Sequence, residues 1–216
     1  MSRTTEVQRA GASAIVVRQA TGPDDASYLR ATADRLEAAA HPGVVEVVSS
    51  HGDGEHWELR LVHAGRPVEL VGPLPAEQVA GTVAAVAAIL ADLHAAGIVH
   101  GDIEGSHVLI GRTGRPVLCG FGPRLAAVPA RPEDDVAAVG SLIVALLGPD
   151  HDLEPIPDHR WRRTGSAGWA RRSLLLIADH ACAEPPTRRP TARRLAAAIG
   201  EAVPGAAPAQ AAIDAV

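Results

Sequence analysis

The order in which strand-like and helix-like segments occur limits this chain to a small number of folds. Short runs rich in valine and isoleucine fall in the first third of the sequence, at about 12–19, 44–49 and 57–63. Most helical patterns come later, beginning with a long apolar stripe over about 76–96. Strands that are grouped ahead of helices predict an α+β fold.

The expected elements also divide the chain. A short β ribbon is predicted at 108–110 and 116–119. Helices are predicted over about 25–40, 76–96, 135–147, 169–181 and 191–202. The break at 64–67 marks a boundary between a first part, 1–66, and a second part, 67–202. The alanine- and proline-rich remainder, 203–216, is predicted to be a flexible tail.

Composition excludes several classes of function. The net charge of −5 provides no basic field that would attract nucleic acid, and all 20 basic residues are arginine. The first ten residues are polar and resemble no signal peptide, and apolar runs such as 141–147 are too short to cross a bilayer. We expect a cytoplasmic protein without direct membrane insertion, and its composition suggests a bacterial genome.

The residue pattern with the clearest chemical meaning begins at His100 and Asp102, continues at His107 and ends at Gly120 and Phe121. It resembles the catalytic segment of eukaryotic-type protein kinases, in which HRD-x-x-x-x-N is followed by DFG. In that family the aspartate of HRD is the catalytic base, and the asparagine and the DFG aspartate hold the metal ions.

Four further segments match the same family in the same order. Residues 41–45 resemble HPNIV, and residues 93–102 resemble LHxxGIVHRD. Residues 135–140 resemble the DVxxxG opening of the central helix, and residues 189–191 resemble the RPT of bacterial serine/threonine kinases. The resemblance covers about 12–202 and implies a protein-kinase-like two-lobe fold, with a truncated N-lobe sheet and a mostly helical C-lobe.

Several positions depart from the family pattern. Asp102 is retained, but His107 replaces the asparagine and Gly120 replaces the DFG aspartate. Arg18 stands where the ATP-positioning lysine belongs, Thr32 stands where its glutamate partner belongs, and no glycine-rich loop precedes them. We therefore expect these five positions to be vestigial, with no catalytic residues and no cofactor. ATP binding is doubtful on this interpretation, and magnesium is not expected.

Other matching residues imply structural roles. On the resemblance, His100 supports the catalytic loop from beneath, and Asp135 accepts hydrogen bonds from its backbone. Phe121 is expected to pack in the core. In the family Arg189 pairs with a glutamate of the activation segment, and no such glutamate stands in register here.

These observations predict a catalytically inactive, protein-kinase-like pseudokinase and not an enzyme. It would be a protein-binding scaffold or regulator in bacterial signalling, with another protein of a signalling or envelope-related assembly as its partner. Trp161 and Trp169 are candidate anchors for that partner. Its oligomeric state is left open.

Two other functions remain open. The His-Gly-Asp sequence at 100–102 also resembles the corresponding motif of small-molecule kinases. A divergent ATP-dependent phosphotransferase, with Asp102 as its general base, is therefore one alternative. A nucleotide binder that needs no metal is the other. A metal site at His100, Asp102 and His107 is conceivable, although structural histidines explain the same residues.

Overall fold

A computed structural model describes residues 2–10, 13–71, 74–111, 114–122, 129–149 and 166–209. These parts of the chain form two small sheets and five helices, so the α+β class is confirmed. The architecture is compatible with a kinase-like fold, and the arrangement as two lobes stays a prediction.

The larger sheet is antiparallel throughout. Its strands are β1 (Ser2–Ala10), β2 (Ser13–Thr21), β3 (Val47–Gly52) and β4 (His56–Val62), in the spatial order β1-β2-β4-β3. Helix α1 (Pro23–Ala38) follows β2 and buries Leu29, Ala33 and Leu36, which recur at the spacing of one helix face. Proline in its first turn and two acidic residues beside it favour a helix start at this point.

Strand β1 lies in the part of the chain for which a truncated N-lobe sheet was expected, ahead of the strand that carries Arg18. It spans nine residues and pairs with β2 without a bulge. Most of its side chains are exposed, so its sequence carries no apolar alternation by which a strand could be recognised. Backbone pairing with β2 and an ion pair from Arg3 to Asp25 of α1, at 3.1 Å, hold it at the sheet edge.

The remaining elements surround one central helix. The smaller sheet consists of β5 (Arg66–Pro67), β6 (Val108–Ile110) and β7 (Pro116–Leu118). The later helices are α2 (Ala76–Ala95), α3 (Pro132–Leu147), α4 (Ser166–Ala181) and α5 (Ala192–Ala202). Helix α2 contacts all three of the others, and its stripe of Val79, Val83, Val86 and Leu90 is fully buried. By length and composition α2 could cross a membrane, but 61% of its apolar window is buried inside the protein.

The two sheets are connected near the turn that follows α1. The amide of Val45 donates to the carbonyl of Leu118, and the amide of Leu118 donates to the carbonyl of Gly43. Val44 and Leu118 form an isolated parallel bridge between the same segments. The residues after α1 are thereby fixed to β7, which is followed closely by Gly120 and Phe121, the end of the kinase-like pattern.

The segment 203–209 is not the flexible tail that composition predicted. Ala209 is fully buried, and its amide donates to Oγ1 of Thr82 at 3.0 Å. A Cβ added at Gly81 would lie 2.2 Å from the carbonyl carbon of Ala207. Small residues of the segment fit against a glycine of α2, and such a contact is invisible to a composition-based prediction. Residues 210–216 lie outside the described part of the chain.

Candidate functional site

The loop that joins α2 to β6 is held from below by Asp135, in the first turn of α3. This carboxylate is buried and accepts hydrogen bonds from the amides of His100, at 3.0 Å, and Gly101, at 2.6 Å. His94, at the end of α2, places its Nε2 2.8 Å from the same carboxylate. The hydrogen bonds expected of Asp135 are therefore present. His94 was not foreseen, because a histidine in a last helical turn is also typical of a solvated helix end.

His100 lies under the loop with both ring nitrogens engaged. Its Nε2 is 2.8 Å from the carbonyl oxygen of Cys119, and its Nδ1 accepts the amide of Asp102 at 3.1 Å. The ring proton must therefore sit on Nε2. Burial lowers the pKa of His100, which favours the neutral ring. Phe121 is fully buried with its ring centroid 4.3 Å from that of His100. We call His94, His100, Phe121 and Asp135 the loop floor.

The upper side of the same loop carries Asp102, Glu104 and His107, which we call the loop rim. The side chains of Asp102 and Glu104 are 54% and 57% exposed, and that of His107 is 24% exposed. Nδ1 of His107 lies 2.8 Å from the backbone oxygen of Asp102. The same Nδ1 is 3.6 Å from a carboxylate oxygen of Asp102 and 3.6 Å from one of Glu104. The rim thus places two carboxylates near one ring nitrogen of an imidazole.

The ring of His107 occupies the space beside Gly120. Gly120 has φ +86°, and a Cβ there would lie 2.4 Å from Cγ of His107. An aspartate at this position would therefore collide with the imidazole. The sequence showed only that the aspartate of DFG is absent. The structure shows that residue 120 must be glycine, because the ring of His107 occupies the space that a side chain there would need.

The residues at 107 and 120 do not fit the magnesium ions that the family resemblance implies. Position 120 offers no oxygen ligand, and imidazole is a poor ligand for magnesium. Across the described ranges, no group of three histidine, cysteine or acidic side chains is arranged to hold a metal ion. This geometry does not support the alternative of a metal site at His100, Asp102 and His107, because both ring nitrogens of His100 are engaged within the protein.

Arg18 and Thr32 do not form the ion pair that their positions have in the family. Arg18 is half-buried in β2, and no ion pair to it is found among the described residues. Burial raises the pKa of the nearby Cys119 thiol to about 11, against a smaller opposing effect of the Arg18 charge. Thr32 is buried and donates from Oγ1 to the carbonyl of Tyr28 at 2.9 Å. An uncharged contact thus stands where the family has a carboxylate.

Tyr28 fills the space next to the end of the motif. A Cβ added at Gly122 would lie 2.2 Å from the hydroxyl oxygen of Tyr28 and 3.7 Å from Oγ1 of Thr32. Helix α1 therefore packs directly against the residues that follow Phe121. This close approach requires a residue without a side chain at position 122.

Arg35 is a second contact between α1 and the loop, and sequence reasoning missed it. Its Nη2 lies 3.3 Å from the backbone oxygens of Val99 and of His100. The only available signal was its place three residues after Thr32, on a neighbouring part of the same helix face. An arginine at that spacing is equally typical of a solvated helix surface.

Arg189 has partners other than the glutamate that the family would supply. Its guanidinium donates to the backbone oxygens of Glu133, at 3.0 Å, and Ala183, at 3.1 Å. It also forms an ion pair with Glu184 at 2.8 Å, and lies 3.5 Å from Asp134. Arg189 therefore ties the start of α3 to the segment between α4 and α5. Trp161 lies outside the described residues.

Comparison with known proteins gives one informative similarity. No protein-family model matches the chain. The chain is 27% identical, over 192 aligned residues, to the serine/threonine-protein kinase PAK 4 of Mus musculus. The match covers 72% of this chain and 32% of that kinase, so the chain spans about a third of the relative's length.

This similarity corrects one expectation from the sequence. The losses at positions 18, 32, 107 and 120 predicted a protein that is not an enzyme. The relative is by name a serine/threonine-protein kinase, which contradicts that prediction and points toward a kinase. The loop, its floor and the weak match together indicate that this chain is similar to a protein kinase domain.

Proposed function

We propose that the chain is a protein-kinase-type phosphotransferase module that works at the rim of the loop. It would transfer the terminal phosphoryl group of a nucleoside triphosphate to a protein hydroxyl. The observation that carries the proposal is the loop geometry around Asp102. Buried hydrogen bonds to Asp135 hold the backbone of the loop, while the carboxylate of Asp102 remains 54% exposed.

Phosphoryl transfer requires mainly positioning and charge stabilisation from a protein. The amide of Asp102 is fixed by Nδ1 of His100, so the floor determines where this residue stands. An acceptor hydroxyl that reached the rim could approach the exposed carboxylate of Asp102. Arg18 is a nearby cation that could face phosphate oxygens, whereas the carboxylate of Glu104 opposes its effect.

An assay of purified protein tests this function. Transfer of radiolabelled phosphate from ATP to mixed protein substrates is measured with magnesium, with manganese and with a chelator. We expect transfer by the natural chain and a loss of about 100-fold or more in Asp102→Asn, since acid–base catalysis at the rim contributes about that much. Asp179→Asn, at an exposed site of α4, is the matched control and should transfer normally.

Two results would contradict the proposal: no transfer by the natural chain under any of the three conditions, or equal transfer by the natural chain and Asp102→Asn. Thermal denaturation with ATP adds a binding measurement. A nucleotide at a hundredfold excess over its Kd should stabilise the fold by about 2.7 kcal/mol. Stabilisation that the chelator leaves unchanged, without transfer, would favour the metal-independent nucleotide binder.

A second candidate function, protein binding in a signalling assembly, is favoured by the outer face of α4. Trp169 is 63% exposed and Leu176 is 68% exposed, and their seven-residue spacing places them on one face. Val144 of α3, the helix that packs against α4, is 51% exposed. Exposed large apolar side chains are typical of protein interfaces. On this proposal the partner is another cytoplasmic protein and not a nucleic acid.

Quantitative affinity purification of the natural chain and of Trp169→Ala/Leu176→Ala tests this second function. We expect one or more proteins to be retained by the natural chain and lost from the double variant. Val7→Ala, at a partly exposed site of β1, is the control. Identical sets of retained proteins would remove this surface from consideration.

A further inference from the structure

The tautomer of His107 follows from its hydrogen bond. Nδ1 faces the backbone carbonyl oxygen of Asp102 at 2.8 Å, and a carbonyl oxygen can only accept. Nδ1 must therefore carry a proton, which leaves the lone pair of the neutral ring on Nε2. Nε2 forms no hydrogen bond to any described residue, and the side chain is 24% exposed.

Charged and titratable groups surround the ring of His107. The carboxylates of Asp102 and Glu104 each lie 3.6 Å from Nδ1. His100, whose ring centroid is 6.4 Å away, is buried and favours its neutral form. Cys119 donates its backbone amide to the carbonyl of His107, and burial keeps its thiol protonated. The cations near the loop include Arg18, close to that thiol, and Arg35, whose Nη2 is 3.3 Å from the backbone oxygen of His100.

The ring is also held in place. Its Nδ1 is tied to the loop backbone, and its Cγ, Cδ2 and Nδ1 lie 2.4, 2.5 and 2.6 Å from where a Cβ of residue 120 would be. A proton acceptor that is fixed before its substrate arrives loses little freedom during the reaction. The glycine at position 120 therefore does more than remove a carboxylate, because it makes room for an oriented imidazole.

We propose that Nε2 of His107 accepts the proton of the substrate hydroxyl, and that Asp102 is a positioning residue for this imidazole. The backbone carbonyl of Asp102 fixes the tautomer, and the carboxylate of Asp102 would stabilise the imidazolium, as the acid does in a carboxylate–histidine pair. This inference rests on the proposed phosphotransferase function and assigns the proton acceptor within it.

The step balances with the nucleoside triphosphate as co-reactant. The O–H bond of the substrate breaks and its proton passes to Nε2 of His107. The hydroxyl oxygen forms a bond to the terminal phosphorus, and the bond from that phosphorus to the leaving oxygen breaks. The electron pair leaves with the nucleoside diphosphate, and the imidazolium later returns its proton to water.

The pH dependence of kcat/KM tests the assignment in the full chain. We expect a fall in rate on the acid side within the range between pH 5 and 8, where imidazoles titrate. His107→Asn should lose about 100-fold and should move that fall below pH 5, because only carboxylates remain at the rim. His107→Gln is a second variant, in case asparagine disturbs the loop. Unchanged rates and an unchanged profile in both variants would overturn the inference.

A readout without turnover separates this inference from the proposed function. Proton NMR follows the imidazole signal of His107, assigned by its absence from His107→Gln. We expect Asp102→Asn and Glu104→Gln each to lower the pH at which this signal titrates, because each removes a neighbouring negative charge. Asp179→Asn should have no effect. If neither rim substitution changes the titration of the His107 signal, the pairing is contradicted. If the signal responds but the chain transfers no phosphate, only the proposed function is contradicted.

Discussion

The floor and the rim of the loop carry the same kinds of side chain in opposite settings. On the floor, Asp135 and His100 are buried. The carboxylate of Asp135 accepts from the amide of His100, and the ring of His100 donates to the backbone oxygen of Cys119. At the rim, Asp102 and Glu104 are more than half exposed. No buried side-chain nitrogen or oxygen of the described residues lacks a hydrogen-bond partner. The polar groups of the floor are therefore committed to the fold, and those of the rim are available to a ligand.

This difference has an energetic basis. Removing one partner from a buried hydrogen bond leaves the other without water, whereas an exposed partner is resolvated. Floor substitutions should therefore reduce the free energy of unfolding, and rim substitutions should alter chemistry while leaving stability nearly unchanged.

The largest expected effect is at Asp135. Asp135→Ala leaves the amides of His100 and Gly101, and the ring of His94, without their hydrogen-bond acceptor. The substitution should lower the free energy of unfolding by about 3 kcal/mol. Asp102→Ala, in the same loop but at the rim, should cost less than about 0.5 kcal/mol. Urea unfolding measures both. Equal costs would break the distinction between floor and rim.

The contact of His107 with Gly120 is the next test. Gly120→Ala should cost about 2 kcal/mol, because an alanine at φ +86° is strained and its Cβ meets the imidazole. In a His107→Ala background the collision is absent and only the strain remains. A double-mutant cycle should give a coupling of about 1 kcal/mol. Strict additivity would show that the two residues are not in contact.

Acid pH should weaken the floor through His100. Its pKa is lowered in the folded state, so below pH 6.5 the unfolded chain takes up a proton that the folded chain resists. Stability should therefore fall as the pH drops below 6.5, by at most about 1.4 kcal/mol per pH unit. Urea unfolding between pH 7.5 and 5 measures the slope. His107→Asn should keep the slope and His100→Asn should flatten it, and the reverse result would place the sensitive histidine at the rim.

The smallest effect concerns a buried contact far from the loop. Gly81→Ala places a Cβ 2.2 Å from Ala207 and should detach the segment 203–209, at about 1 kcal/mol. Hydrogen exchange at the amide of Ala209 should become faster, since its bond to Thr82 is lost. Gly200→Ala, where no atom lies within 4 Å, is the control and should stabilise α5 slightly. If hydrogen exchange at the amide of Ala209 is unchanged, the segment 203–209 accommodates the added Cβ without detaching from α2.

Much of the fold was accessible from the sequence, since helix and strand periods are local. The apolar stripe of α2 predicted its bounds to within one residue, and the kinase-like pattern located the loop and Asp135. Strand β1 was missed because its side chains are mostly exposed and its sequence shows no regular alternation of apolar and polar residues. His94 and Arg35 were missed because polar residues on helix surfaces are usually solvated, and their spacing does not reveal a distant partner.

The sequence by itself determined the α+β class, the approximate positions of the five helices in the described ranges and the loop motif around Asp102. Each of these is encoded by residues within a few positions of one another. The tertiary structure alone decided that His107 fills the space beside Gly120, that Arg35 holds the loop and that the segment 203–209 lies on Gly81. These contacts join residues that are far apart in the sequence, and the partner of a side chain depends on which surfaces folding brings together.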